Sequence, residues 1–429
     1  MTVSNPTIAL DTTAITATSP FTGTPAHTTR MQAYAKVLVN GFDVTTALAQ
    51  YLLKIHVTDT GRSECTLELD DRDGRLDIPP VNANLVVQLG WQSQSLIQVF
   101  TGFIQEIEHS FDRANGRRMH VIGTAGTTFA DKAKSPFSAH MGTGAPPGQT
   151  TGATNSVSAF LQQAAGFAST SIDIHPYFNS IMRDYFAQTN ESFLHLGQRL
   201  AEEHGGVFGF NSNNGKWQLT QAGQDPNGSP TGTINALWGD NLINWKIHPF
   251  SARSSWQGSS QLFYDPGAAQ WKKIASQFGL SMPWSIATAV FNMRNPAPSS
   301  QVATQQTQGA SGTGEQYIGG GTILIDGEPS ARWQMSVVLT GARPGVDGTY
   351  RIGKAEHDYE RGGGYTTTLT VFPTTQATGI TGGVPVVTNQ IGSVWTSSNV
   401  DVNGNIVITN ASGGTTTIDA KTGNTISTP

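Results

Sequence analysis

From Met31 onward, apolar and polar residues alternate in short runs broken by turn residues, the period of half-buried β-strands. Tyr34–Val39 alternates and is β-branched, and Asn40-Gly41 follows as a turn signal. Tyr51–Thr58 reads as a strand with Leu53, Ile55 and Val57 on one face. Cys65, Leu67 and Leu69 alternate against Glu64, Thr66, Glu68 and Asp70, and Asp70–Gly74 forms a polar turn. Asn84–Leu89, Leu96–Ile107 (broken at Gly102) and Met119–Thr124 supply further strands. Short strands with frequent turns predict a small antiparallel barrel or sandwich over residues 31–130.

The period then changes. Ala139–Thr154, rich in Gly, Pro and Thr, reads as a linker or loop, and Asn155–Ala168 has helical spacing with Ser156 as its cap. The clearest helical stripe is Gln188–His204, with Asn190 as N-cap, Phe193, Leu194, Leu196, Leu200 and Ala201 inward, and Gly205-Gly206 as terminator. A hairpin around Asn213-Asn214-Gly215 completes an α+β insert over 131–235. Strands return at Asn241–Ile247, Ser260–Tyr264, Trp271–Ile274, Thr322–Ile325, Ala331–Leu339, Thr349–His357 and Tyr365–Phe372, and predict a second antiparallel barrel over 236–375. Residues 295–320 read as a loop without a core. In 376–429, Asn403-Gly404, Gly413-Gly414 and Gly423-Asn424 separate three very short strands, Ile406–Thr409, Thr415–Ile418 and Thr425–Ser427. So small a segment cannot close its own core and is expected to pack on another chain or on copies of itself. Residues 1–30, mostly Thr, Ser, Ala and Pro, read as an extended arm. The fold class is therefore mainly β with a small α+β insert and a C-terminal β-repeat tail.

Composition narrows the role. Charged residues are 13% of the 429, against roughly 25% in ordinary globular chains. The net charge is −5 without a basic run, so specific nucleic-acid binding is not expected. Residues 1–29 lack a basic start and an apolar h-region, and no apolar run approaches the ~20 residues that span a bilayer. The expectation is synthesis in a cytoplasm and no membrane insertion by the chain itself. The single cysteine, Cys65, reads as a small core residue.

Candidate chemistry is sparse. No nucleophile elbow, zinc-binding helix or phosphate loop is present. Glu64 and Asp73 have a spacing some lysozymes use, but they fall on a strand face and in a polar turn. Glu202-Glu203-His204 ends the central helix, where a His complements the dipole. His56, His109, His120 and His357 fall on strands at no ligand spacing. Trp217, Trp238, Trp245, Trp256 and Trp271 read as buried anchors ahead of a sugar platform. No catalytic, cofactor or metal residue is assigned.

Three segments carry a family resemblance. Gly341–Pro373 contains Pro344-Gly345, Asp347-Gly348-Thr349-Tyr350-Arg351-Ile352, Glu356-His357-Asp358-Tyr359 and Gly364-Tyr365-Thr366-Thr367-Thr368-Leu369. It resembles the closing hairpin of phage tail baseplate hub proteins, the late-control or tail-hub family. Tyr185–Leu219 resembles that family's insert helix and hairpin, and the first barrel resembles theirs through its Asp70-Asp71-Arg72-Asp73-Gly74 turn and Gly102–Ile107 strand. The order barrel, insert, barrel is also similar to the hub part of type VI secretion spike proteins.

The resemblance implies two tube-type β-barrels per chain and a homotrimer that forms a pseudo-sixfold ring. It further implies a tail tube or tube-initiator protein above, a central spike below, wedge or other baseplate proteins around, and tape-measure protein or DNA in the lumen. The implied location is the baseplate of a virion tail assembled in a bacterial cytoplasm, with no enzymatic activity and no cofactor. Alternatives kept open are a secretion spike hub carrying an effector, a peptidoglycan hydrolase and a glycan-binding tail protein.

Overall fold

The computed structural model describes residues 32–126 (without 75, 93 and 115), 139–142, 156–248 (without 183, 184 and 190), 258–277, 290–373 (without 295, 298, 316–318, 344 and 345), and four strands between 397 and 427. The arm at 1–30, Asn190, Trp256 and Pro344-Gly345 lie outside these residues.

The first strands are β1 (Ala33–Val39), β2 (Phe42–Asp43), β3 (Leu52–Asp59), β4 (Glu64–Asp70), β5 (Asn84–Trp91), β6 (Ile97–Asp112) and β7 (Gly116–Ala125), with a one-turn helix α1 (Thr45–Leu48) before β3. They lie in the spatial order β3-β4-β7-β6-β5-β1-β2, all antiparallel. Alternation places Ile55, Val57, Cys65, Leu67, Leu69, Leu85, Val87 and Leu89 in one core. Two sequence expectations change. A bulge between Leu52 and Lys54 turns Leu52, not Leu53, inward. Gly102 does not break β6, which runs through it as one strand of 16 residues.

Next come β8 (Ala139–Gly142), α2 (Val157–Phe167), β9 (Ile172–Ile174), β10 (Tyr185–Gln188), α3 (Phe193–His204), β11 (Gly206–Asn211) and β12 (Lys216–Gln221). Ser156 caps α2 by accepting from the Ala159 N–H, as expected. The cap of α3 is Ser192, which accepts from the His195 N–H, because residues up to Gln188 are drawn into β10 pairing with β8. Ala139–Gly142 is thus a strand where a linker was expected. Gly205 ends α3 at φ +67°. The inner faces of α2, α3, β11 and β12 join the first sheet's core.

The second half contains β13 (Thr233–Leu237), β14 (Leu242–His248), β15 (Gly258–Asp265), β16 (Gln270–Gln277), β17 (Val290–Asn292), α4 (Ser300–Glu315), β18 (Gly320–Asp326), β19 (Ser336–Thr340), β20 (Gly348–Glu360) and β21 (Gly364–Pro373). Residues 331–335, expected to open β19, form a turn instead. Residues 300–315, expected as a coreless loop, are a helix. Its polar composition hid its contacts. Val302 and Ala303 pack with Phe263 and Ala297, Ser259 Oγ donates to the Thr307 carbonyl at 2.6 Å, and Gly309 meets the backbone of Gly205. A helix that docks through glycine and hydrogen bonds needs little hydrophobicity. The strands β15–β17 and α4 form a separate small sheet and core between β14 and β18.

The remaining strands run β14-β18-β21-β20, with β19 and then β13 added to β20's first half. Their core is distinct, built on Ile323, Ile325, Val337, Leu339, Ile352, Ala355, Leu369 and Val371. Six strands in the order β14-β18-β21-β20-β19-β13 thus parallel six in the order β3-β4-β7-β6-β5-β1. The difference is that β13 joins parallel where β1 joins antiparallel. Registers agree as well. His357 faces Thr367, Thr367 faces Ile325 and Ile325 faces Leu242, just as His109 faces Met119, Met119 faces Leu69 and Leu69 faces Leu52. Both long strands bulge at matched places, between Ile104 and Glu106 and between Ile352 and Lys354. Four strands, β22 (Ser397–Val400), β23 (Ile406–Thr409), β24 (Thr415–Ile418) and β25 (Thr425–Ser427), form an antiparallel meander; three were expected from the sequence and β22 was not.

The halves fuse where β3 pairs antiparallel with β20, from Ala355 opposite Asp59 to Glu360 opposite Lys54, giving one 13-stranded sheet. A three-way junction lies beside this seam. The Trp333 ring lies against Gly61 of the first half and Gly209 of β11, and the backbone N–H of Trp333 donates to the Asp59 carboxylate. Arg332 donates to the carbonyls of Pro329, Ala331 and Gln98, and Gln98 in turn donates to the Ser212 carbonyl. A Cβ on Gly209 would sit 2.4 Å from the Trp333 ring and 2.9 Å from the Gly61 carbonyl. Gly209→Ala is expected to lower stability by about 1–3 kcal/mol, measured by urea denaturation.

His357 is fully buried. Its Nε2–H donates to the Ala331 carbonyl at 3.1 Å, so Nδ1 accepts from the Tyr365 hydroxyl at 2.8 Å. Burial first, and then the nearby Arg332 charge, push its pKa down to about 3. The unfolded chain takes up a proton below pH ~6.5 that the folded chain refuses. Stability is therefore full above that value and falls as pH drops toward 3, by ~3 kcal/mol at pH 4. Thermal melts across this window should show the fall in the wild type and a shallower one in His357→Gln.

Candidate assembly surface

A cluster of charged groups lies on the solvent-facing side of the seam. Alternation that turns Ile55 and Val57 inward turns Lys54, His56 and Thr58 outward, opposite Glu356, Asp358 and Glu360 of β20. His56 Nδ1–H donates to Asp358 at 2.9 Å, Lys54 bridges Asp358 at 3.0 Å and Glu360 at 3.2 Å, and Lys354 pairs with Glu356 at 2.7 Å. Burial works to raise the Asp358 pKa, but hydrogen bonds from His56 and Lys54 outweigh it and hold the carboxyl below its ordinary value. The Asp358 hydrogen bond holds Lys54 above its own. Opposed charges on facing strands fix register as well as adding attraction.

The sequence candidates are dispersed. Glu64 begins β4 and Asp73 lies in the turn past its other end, and seven residues of strand put them on the order of 20 Å apart, too far for paired carboxylates. Glu203 pairs with Arg199, which also holds Glu191, and His204 is buried with Nδ1 2.9 Å from Gln305 of α4. The Arg199 pairs brace α3 and its entry, and the His204–Gln305 contact ties α3 to α4. His56 belongs to the seam, His357 to the core, and His120 lies near Ser110 on β6–β7. Among the described residues, no group of three His, Cys, Asp or Glu could hold a metal, and no helix is long and apolar enough to cross a membrane. Cys65 is buried in β4, where burial pushes its thiol far up. Trp217 is the buried anchor expected, whereas Trp238 and Trp271 are 62% and 60% exposed.

Among the open strand edges of the described residues, two stand at matched places in the two halves. Beyond Phe103, β6 has left β5 behind, and residues 106–111 pair, among the described residues, only with β7. At the far end of the sheet β14 pairs only with β18 among the described residues. Phe111 on the first edge is 75% exposed and Ile243 on the second 48%. Long unpaired edges bearing apolar side chains mark sites of association. A repeat in the sequence could have revealed them. Ile104-Gln-Glu-Ile-Glu108-His109-Ser-Phe111-Asp112-Arg113 matches Ile352-Gly-Lys-Ala-Glu356-His357-Asp-Tyr359-Glu360-Arg361 in apolar, acidic, His, aromatic and Arg positions.

Asp358→Asn is expected to lower the melting temperature at neutral pH. The gap to wild type should close as acid protonates the wild-type carboxyl, since its contribution is present above the unfolded pKa of ~3.9 and lost below it. Melts at neutral and acid pH check this.

No family model matches the chain. Over 74 residues it is 34% identical to a probable baseplate hub protein of Escherichia phage 186, a match covering 17% of this chain and 19% of that relative. The chain thus matches about a fifth of the curated relative's length. Among solved structures it is similar to the 43 kDa tail protein of prophage MuSo2 from Shewanella oneidensis, at a TM-score of 0.57 and 12% identity, over 79% of this chain and 98% of that one. It is also similar to a tail protein from Neisseria meningitidis MC58, at 0.56 and 12%, over 80% and 97%. The chain has the fold of these tail proteins, and its sequence resembles that of a phage baseplate hub.

Proposed function

We propose that the protein is a structural hub of a phage or phage-like injection tail. Three copies form a pseudo-sixfold ring that joins a sixfold tail tube to a threefold central spike and leaves a channel for DNA or cargo. The observation that carries this reading is the internal duplication. Two six-stranded sheets of the same order and register, already joined side by side, make each chain two near-equivalent segments of a ring, so three chains can match a sixfold partner. The tube or its initiator meets one side of the ring, the spike the other, and wedge or other baseplate proteins the rim. The meander β22–β25 is suited to the spike joint, since four strands this short need another surface to pack on. The role is assembly without catalysis, in the tail of a particle assembled in a bacterial cytoplasm.

Native mass measurement is expected to give a trimer, and electron microscopy a ring with a central hole. A stable monomer at every concentration, or cell-wall hydrolysis abolished by Glu64→Gln, would count against the hub.

A further inference from the structure

The joint between copies can be read from the joint within a copy. The pairing of β3 with β20 brings Glu356 opposite Thr58, His357 opposite Val57, Asp358 opposite His56, Tyr359 opposite Ile55 and Glu360 opposite Lys54. The matched registers make β6 the counterpart of β20 and β14 the counterpart of β3, with Leu242 standing for Leu52 and His109 for His357. Within the chain, β20's edge is covered by β3. The counterpart edges, the outer side of β6 past Phe103 and that of β14, have no strand partner among the described residues.

We propose that β14 of one copy adds to the outer edge of β6 of the next, in the register by which β3 adds to β20. The inference rests on the ring reading and specifies its interface. Carrying the register across sets Glu108 opposite His248, His109 opposite Ile247, Ser110 opposite Lys246 and Phe111 opposite Trp245.

The chemistry suits this pairing. The exposed Phe111 ring gains an aromatic partner where Tyr359 has Ile55, and aromatic cross-strand pairs are favourable. Lys246 comes to lie diagonally beside Glu108, as Lys54 lies diagonally beside Asp358. The flanking arginine repeats as well. Arg361 N–H donates to the Leu53 carbonyl at 2.9 Å and its guanidinium to the Gln50 carbonyl at 2.7 Å. Arg113 is its counterpart, and Asp240, two residues before Leu242 as Gln50 is before Leu52, stands where it would reach. Both are exposed. An ion pair would thus form where the internal seam has only a carbonyl. Each copy offers one edge and receives on the other, a head-to-tail contact that closes when the rotation fits.

Cysteines test the register, because Cys65 is buried and its thiol unreactive. Ser110→Cys with Lys246→Cys places thiols on directly opposed residues, within disulfide reach. On mild oxidation most of the protein is expected to run as a covalent trimer on a non-reducing gel. Ser110→Cys with His248→Cys, offset by two residues, should cross-link poorly; if it links better, the register is wrong. Arg113→Glu or Asp240→Arg alone should weaken association at least tenfold, and the two together should restore it. Native trimers without the Ser110–Lys246 link and without the charge rescue overturn this interface and leave the hub reading standing. Monomers throughout, without cross-links, sink both.

Discussion

The antiparallel pairing of β3 with β20 is the constraint on which the architecture depends. Each half alone would be a curled six-stranded sheet with a bare edge, exposing backbone donors and acceptors to any passing strand. The seam joins those edges and converts two modest sheets with separate cores into one continuous surface. Lys54, His56, Glu356, Asp358 and Glu360 hold its register on the outer side, and Val57 and His357 do so on the inner. A slip of one residue would carry the charges into the core and the apolar side chains into water, so the register is strongly specified.

The insert is tied to this seam. Asp59 is the last residue of β3; it accepts from Gly61 and Ser63 in its own loop and from the Trp333 N–H. Ser63 pairs with Ser212 at the tip of β11–β12, and the Phe210 N–H donates to the Gly61 carbonyl at 2.7 Å. Burial pulls the Arg332 pKa down, and the charge of Asp59 opposes that pull. Enclosing an arginine in this way is a poor source of stability and a good source of uniqueness, since the donors on its two terminal nitrogens reach Pro329, Ala331, Gln98 and Asn213 only when three segments are in place at once. The first half, the second half and the insert are thereby held in one relative arrangement.

Most of the strands were legible because one face of each is buried, and burial writes itself into alternation. The helix α4 was not. Val302 and Ala303 are its only buried apolar residues among those described, and Gln305, Thr307 and Gly309 add polar and backbone contacts. The bulge at Leu53 was equally hidden, since alternation continues plausibly through it. The seam could not be read from strand patterns, because its partners lie about three hundred residues apart. The Glu-His-x-aromatic repeat was in plain sight at 108–111 and 356–359, but its meaning needed the topology that makes β6 and β20 equivalent.

That equivalence carries a physical consequence. The same strand type occurs twice, once covered and once open, and its residues differ accordingly. At the covered site Gly353 and Ala355 are small, letting Phe372 and the neighbouring strand close in, and His357 is sealed from water. At the open site Gln105 and Ile107 replace them, His109 is exposed, and Phe111 replaces Tyr359, removing the hydroxyl. Tyr359 at the covered position is half-buried and keeps its hydroxyl, whereas Phe111 at the open one would gain from losing water once a second copy covered it. A joint formed within the chain is enforced by covalent connection, but one between chains must overcome the entropy of association. In the interface proposed above, the extra apolar area of Ile107 and Phe111 and a pair between Arg113 and Asp240 would meet that requirement.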